Sequence, residues 1–293
     1  MAAIVTGSEY LALPRAKETW LIEPVVPTSG AVLLYGDPKV GKSFAALQLA
    51  VALSDHGVED WFGFPVKSHG PVVYVQLDTP RSLWADRLEE VRSSGVDTDS
   101  VHFSDRETLD CFPFDILRGD HFDLLYHSLK AIKPIAVIMD TLKESHSAEE
   151  NDSNTMQKVV ASLVAATYPA ALILISHSRK PAGEYTPDLI NDSRGSSYLP
   201  GRMDSIIRFT AKTLFFTGRA LEQGSIKLER TDVGTWKKNE TEDRLHELVV
   251  QVASDPNLPS LLQKSTELST RTGKSIEACR SLLRRRLPSL AHP

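Results

Sequence analysis

Eight consecutive residues, Gly36-Asp37-Pro38-Lys39-Val40-Gly41-Lys42-Ser43, place two glycines, a lysine and a hydroxyl at the spacing GxxxxGK[ST]. Glycines let a backbone curl until successive N–H groups face inward, and such a curl binds an anion. A helix starting at its end adds the positive pole of its dipole to the same spot. Lys42 is then placed for the β and γ phosphates of a nucleoside triphosphate, and the Ser43 hydroxyl for Mg²⁺. Phe44 closes the stretch of residues expected to touch the nucleotide.

Three further apolar runs end in groups that could work on such a phosphate chain. Pro134-Ile135-Ala136-Val137-Ile138-Met139-Asp140 delivers a carboxylate where a strand ends. That is where a hard cation beside the phosphates needs an oxygen ligand, so Asp140 joins Ser43 as a candidate for Mg²⁺. PVVYVQL ends at Asp78, followed by Thr79 as an expected N-cap and Pro80 at the first helical position. Two roles are open to Asp78: polarising the attacking water, or capping that helix. ALILI runs into Ser176-His177-Ser178, and His177 either senses the γ phosphate or is a satisfied core histidine.

The elements that must position these groups follow from the apolar pattern. AVLLY (31–35), PVVYVQL (71–77), IAVIM (135–139) and ALILI (171–175) are short runs without alternation, as strands buried on both faces require. Between them GKSFAALQLAVALSDHG, RSLWADRLEEVRSSG and TMQKVVASLVAATY carry helical spacing. Strands alternating with helices predict an α/β fold built on a parallel sheet. Beyond about residue 205, SIIRFTAKTLFFTGR and SIKLERTDVGTW read as antiparallel strands closing that sheet. A polar linker near 237–242 separates a core, residues 1–240, from a small all-α tail, residues 241–293. The tail shows three helical patterns, and its last two, joined at Thr272-Gly273, predict a helix-turn-helix. Ser275 is expected to cap the final helix, with Ile276, Cys279, Leu282, Leu283 and Leu287 on one apolar face.

Composition narrows the class. The chain has 293 residues, 41% of them hydrophobic and 24% charged, with 2 cysteines, which excludes collagen-like, disordered and disulfide-scaffold proteins. Cys111 and Cys279 sit in no metal-ligand spacing, which favours a reducing, cytoplasmic setting. No secretory leader or bilayer-spanning run is evident, so no membrane partner is expected. The net charge is −5, too acidic for a chain that coats nucleic acid along its length. From Ser260 to Pro293, however, seven basic residues stand against two acidic ones, an acidic body with a basic tail.

Taken in order, Trp20-Leu21-Ile22-Glu23, GDPKVGKS, VVYVQLD, Asp140-Thr141-Leu142 with His146, Glu149, Glu150, Asn151 and Met156, then ISHSRK, Ser193-Arg194-Gly195-Ser196-Ser197 and LERTDVGTW resemble RecA-like ATPases. The resemblance is to the RepA type of replicative helicase, kin to DnaB-type hexameric helicases and to recombinases, and it covers about residues 18–236. It implies Mg²⁺ and ATP bound where subunits of a homo-oligomeric ring, a hexamer, meet. It also implies a positive finger supplied by a neighbour, for which Arg208 is the first candidate and Arg194 the second. The family usually has Glu where this chain has Asp78. A carboxylate drawn back by one bond length, about 1.5 Å, is expected to slow hydrolysis.

In this family DNA contacts come from channel loops, here 143–154 and 179–193. The first is acidic; in the second, Arg179, Lys180 and Tyr185 are the candidates for single-stranded DNA. In the tail, Arg280 and Arg284 share a helix face as contacts to duplex DNA would. Three functions follow: a DNA-dependent ATP-driven motor, a recombinase or annealing ATPase forming filaments or rings, and an ATP-switched DNA-binding regulator.

Overall fold

A computed structural model describes residues 4–13, 19–93, 95, 97–178, 189, 198–231 and 235–290. In chain order its elements are α1 (Gly7–Ala12), β1 (Trp20–Ile22), β2 (Val26–Pro27), β3 (Ala31–Gly36), α2 (Lys42–Ser54), β4 (Asp60–Trp61), β5 (Phe64–Pro65), β6 (Val72–Gln76) and α3 (Arg81–Ser93). Then follow β7 (Val101–Asp105), α4 (Gly119–Ile132), β8 (Ala136–Asp140), a 3₁₀ turn (Leu142–Ser145), α5 (Ser153–Thr167), β9 (Ala171–His177) and α6 (Tyr198–Arg202). The last elements are β10 (Ser205–Phe209), β11 (Thr213–Gly218), β12 (Leu221–Arg230), β13 (Trp236–Lys238), α7 (Glu240–Ser254), α8 (Leu261–Thr272) and α9 (Ile276–Leu290).

Nine strands form the main sheet in the order β13-β12-β11-β10-β3-β9-β8-β6-β7. From β10 to β7 every neighbouring pair is parallel, and β11 runs antiparallel to β10. The fold is therefore the expected α/β sheet, parallel at its centre with an antiparallel edge. Every residue of β3, β6 and β8 is buried, because helices cover both faces and leave no side for polar alternation.

On one face Leu33, Tyr35, Val75, Val137, Met139 and Leu174 meet Leu125, Leu129, Val159 and Leu163 of α4 and α5 in a single core cluster. The alternate residues face the other way, toward α2, whose Ala45, Ala46, Leu47, Leu49 and Ala50 are buried. Since strand side chains alternate, one register settles which residues share each face.

By compactness the chain divides into Met1–Ser225 with Arg230–Trp236, and Ile226–Glu229 with Lys237–Pro293. In the second unit α7, α8 and α9 bury Val249, Val252, Ala253, Leu268, Cys279 and Leu283 against one another. Ser260 and Gln263 form a capping box at the start of α8, and Gly273 ends it in the left-handed conformation at φ 68°, which allows the tight turn into α9. The Ser275 hydroxyl accepts from the Ala278 N–H at 3.3 Å, as its position as a cap predicts. Ile276 departs from the expected apolar face: it is 42% exposed, since it lies a turn ahead of Cys279, where the buried stripe begins.

Among the described residues, no helix is long and apolar enough to cross a membrane.

Candidate functional site

The groups singled out from sequence gather at the carboxyl edge of the parallel strands. Gly36 ends β3 in register with His177 at the end of β9, and Asp140 ends β8 in register with Gln76 on β6. Asp78 follows β6 by two residues. Lys42, Ser43, Asp78, Asp140 and His177 all line one cleft of about 290 Å³, with Lys39, Val40, Gly41 and Phe44. Loops leaving the carboxyl ends of parallel strands are where α/β sheets bind ligands.

The loop's shape depends on its glycines at two points. A Cβ on Gly36 would lie 2.1 Å from the carbonyl oxygen of Phe209, so β10 approaches β3 only because no side chain intervenes. Gly41 caps α2 with φ 98°, a left-handed turn that aims the first N–H groups of the helix into the cleft. Asp37 and Pro38, between these glycines, are exposed. Ser178 fastens the loop to β9: its hydroxyl donates to Asp37 Oδ1 and its N–H to the Gly36 carbonyl.

Lys42 is 6% exposed. Its Nζ donates to the carbonyls of Gly36 at 3.0 Å and Asp37 at 2.8 Å, and lies 3.4 Å from His177 Nδ1. Burial pulls its pKa down to about 8, while Asp140, Asp37 and Asp78 pull the other way. The ammonium thus rests on loop carbonyls whose place as acceptors phosphate oxygens would take.

Asp140 is 2% exposed. Its carboxylate accepts from the Tyr74 hydroxyl at 2.7 Å and from Ser43. Burial raises its pKa, with Asp78 pushing the same way and Tyr74, Ser43 and Lys42 opposing. Burial and the Asp140 charge also hold the Tyr74 phenol well above its ordinary pKa. A fully buried carboxylate bonded to a hydroxyl, with a second carboxylate close enough to repel it, is an all-oxygen set suited to Mg²⁺. Ser43 and Asp140 would hold the ion.

Asp78 is exposed and lines the cleft. Helix α3 begins at Arg81, and the Pro80 carbonyl accepts its first bond, from Trp84. The expected cap, Thr79, instead accepts from Arg87 Nη1 at 3.4 Å. The start of α3 thus uses the Pro80 carbonyl, and the Asp78 carboxylate faces the phosphate cleft.

Arg208 lies in β10, in register with Tyr35, and is 8% exposed. It does not line the cleft of its own chain. Arg194, Arg179, Lys180 and Tyr185 lie outside the described residues. In the helical unit Arg284 is exposed and Arg280 half-buried, one turn apart on α9.

Several cleft residues escape sequence reasoning. Arg87 and Arg230 flank the Phe44 ring, their guanidinium carbons 5.7 and 6.0 Å from its centroid. Trp236 stands against the loop, where a Cβ on Gly41 would lie 2.7 Å from its Nε1. Its backbone is held by both ends of the Gln48 amide, which donates to its carbonyl at 2.7 Å and accepts from its N–H at 2.9 Å. Its ring packs edge-on against Phe209 at 5.2 Å. Arg230 and Trp236 belong to the LERTDVGTW segment that carries the resemblance, but nothing local in it says that they reach the cleft, because they arrive from strands far beyond the loop in the chain. With Lys39, Lys42, Arg87 and Arg230 against Asp78 and Asp140, the cleft is built for a polyanion.

A glycine-rich loop between a buried strand and a helix, with an acid at the end of a neighbouring strand in a mostly parallel sheet, defines a RecA-like P-loop ATPase. A family model described as an AAA domain matches residues 5–183, and the chain belongs to that family. Among solved structures, one titled as an ATPase domain is similar at a TM-score of 0.52 and 14% identity, over 72% of this chain and 84% of its own. A KaiC-like protein, PH0186 from Pyrococcus horikoshii OT3, aligns over 77% of this chain and 98% of its own at 17% identity and a TM-score of 0.46.

Proposed function

We propose that the chain is a Mg²⁺-dependent ATP hydrolase that works as a DNA-dependent motor, a ring-forming helicase of the RepA type from phage or plasmid replication. The observation that carries this reading is the meeting of Lys42, Ser43, Asp78 and Asp140 at one sheet edge. Bound between Ser43 and Asp140, Mg²⁺ would offset the charge of the β and γ phosphates. On binding, Lys42 exchanges the Gly36 and Asp37 carbonyls for phosphate oxygens, and the helix N-terminus supplies N–H donors. Asp78 orients and polarises the attacking water, and His177, beside Lys42, reports the state of the γ phosphate toward β9. A finger in trans, for which Arg208 and Arg194 are the sequence candidates, would add positive charge as phosphoryl transfer proceeds.

In this reading residues 1–240 form the ATPase and 241–293 an accessory piece. Single-stranded DNA runs past Arg179 and Lys180, and duplex DNA meets Arg280 and Arg284. A filament-forming recombinase uses the same cleft. The turn at Gly273 between α8 and α9 favours a different second reading, a regulator that binds duplex DNA and uses ATP only to control assembly.

Hydrolysis measured with and without single-stranded DNA tests the motor. Binding of labelled single-stranded and duplex DNA at two salt concentrations, by the full chain and by a chain ending at residue 240, separates the readings. A motor keeps its ATP-dependent single-strand affinity after truncation; a regulator loses its duplex affinity and much of its salt dependence.

A further inference from the structure

Gln76 is 1% exposed, and neither Nε2 nor Oε1 of its amide has a hydrogen-bond partner. Unmet polar atoms in a dry interior forfeit the bonds water gave them, and each one costs free energy. Nearly every such group in a folded protein is paired, with protein or with ordered water.

Its position says what kind of partner is wanted. Gln76 stands in register with Asp140 on the adjacent parallel strand, so both side chains project to the same face. Tyr74, two residues earlier on that face, is bonded to Asp140. Asp78, two residues later, lines the phosphate cleft and raises the Asp140 pKa by its charge. The amide therefore shares a face with both carboxylates of the site, in register with the one whose partners are Tyr74 and Ser43, yet it bonds to neither. A donor and an acceptor on the face of a buried carboxylate, bonded to nothing, are the partners that a bridging water requires.

We propose that Gln76 is a positioning residue of the cation site, its amide holding an ordered water against the Asp140 carboxylate when the site is filled. The amide supplies an acceptor for that water's proton and a donor for its oxygen, which neither carboxylate can do. Outer partners of this kind set the orientation of ligands to a metal, and their loss typically costs 10–100-fold in affinity. The inference rests on the reading of the cleft as a Mg²⁺-nucleotide site.

The test uses ADP with Mg²⁺ or with EDTA, binding followed by calorimetry and stability by thermal unfolding, in wild type, Gln76→Leu and Gln76→Met. Wild type first shows whether Mg²⁺ tightens ADP binding at all; if it does not, the reading of the site fails whatever Gln76 does. Given that tightening, both variants should unfold at or above the wild-type temperature without ligand, since two unpaired atoms are gone. They should bind ADP in EDTA as wild type does and lose about tenfold or more of the gain from Mg²⁺. Another buried atom without a partner, Trp84 Nε1, belongs to a ring packed on Tyr74 at 4.9 Å and defines the rival account. If Gln76 merely shares a structural water with Trp84, its replacement lowers the ligand-free unfolding temperature and leaves the Mg²⁺ gain intact. That outcome overturns the proposal, as does an equal loss of affinity in EDTA. Should Gln76→Leu not fold, Gln76→Met, which keeps the length and flexibility of the side chain, decides the question by the same two measurements.

Discussion

The Tyr74 hydroxyl donates a hydrogen bond to Asp140 across 2.7 Å, beneath the loop that ends in Lys42 and Ser43. The bond ties β6 to β8 at the point where both approach the phosphates, and it steadies a carboxylate that burial opposes. A carboxyl whose pKa is raised in the folded state stabilises the fold below its unfolded value. That contribution is lost as pH climbs through the folded value.

Ligand-free wild type should therefore become more stable as pH falls below the raised Asp140 pKa toward the ordinary carboxylate value, in the part of the profile that Asp140→Asn abolishes. At pH 7 Asp140→Asn should unfold at a higher temperature than wild type and gain nothing from Mg²⁺ with nucleotide. Tyr74→Phe should do the reverse, losing about 1–3 kcal/mol because the carboxylate keeps its burial and loses a donor. Thermal unfolding from pH 5 to 8 checks both, and an Asp140→Asn protein less stable than wild type at pH 7 would contradict the sign.

Lys42, with its pKa drawn down to about 8, must be charged to hold phosphate. Above pH 8 the free protein pays to protonate it, so ATP affinity should fall about tenfold per pH unit until the pKa of the bound state is reached. Lys42→Arg does not titrate there and should show a flat profile at weaker overall affinity. Binding titrations between pH 7 and 9.5 make the comparison, and parallel profiles for the two proteins would place the titrating group elsewhere.

Asp78→Asn should retain ATP and stop turnover, since an amide accepts a hydrogen bond but does not take a proton. The residual rate should be at least about 10²-fold down, the lower range for a lost general base. Asp78→Glu carries the opposite expectation, a faster enzyme, if the short side chain is what limits hydrolysis. Steady-state phosphate release with a parallel ATP-binding assay reports on both variants.

Trp236 is one of four tryptophans, and it stands against Gly41 in the cleft. Nucleotide addition should change intrinsic fluorescence in wild type and leave most of that change absent in Trp236→Phe, whose ring can still pack on Phe209. Gln48→Leu, which frees the Trp236 backbone at both its N–H and its carbonyl, should weaken nucleotide binding without touching the phosphate loop. A full fluorescence response in Trp236→Phe would assign the signal to Trp20, Trp61 or Trp84.

Much of this site can be read from sequence because its strands are buried on both sides. AVLLY, PVVYVQL, IAVIM and ALILI stand out as unbroken apolar runs, and each strand's last residues then mark the working edge. β7 does not stand out, because Val101 is its one buried residue and the others are partly exposed; it is an edge strand with a polar sequence. Tyr74 and Gln76 did carry a signal: they alternate with Asp78 at a spacing of two, so a strand ending at 78 puts all three on one face. Arg230 and Trp236 lie in the LERTDVGTW segment of the resemblance, yet their place in the cleft is not legible there, since they reach it through pairing between strands distant along the chain. Arg208 is singled out by resemblance and not by its surroundings. Its motif resembles a segment that serves a neighbour's site, while the register of β10 on β3 buries it in its own sheet.

The strand that carries the phosphate loop lies at the middle of the sheet, between β9 and β10, and its first N–H is held by the Asp204 carboxylate, 173 residues away along the chain. On a ribosome adding about 5–20 residues per second, roughly ten to thirty seconds pass between the emergence of Ala31 and that of Asp204. For most of that interval an apolar strand and a glycine-rich loop wait for β9, and to its end they wait for β10. The loop that opens the nucleotide site is among the earlier parts of the chain to be made, and the strands that flank it are completed only after more than half of the chain has followed.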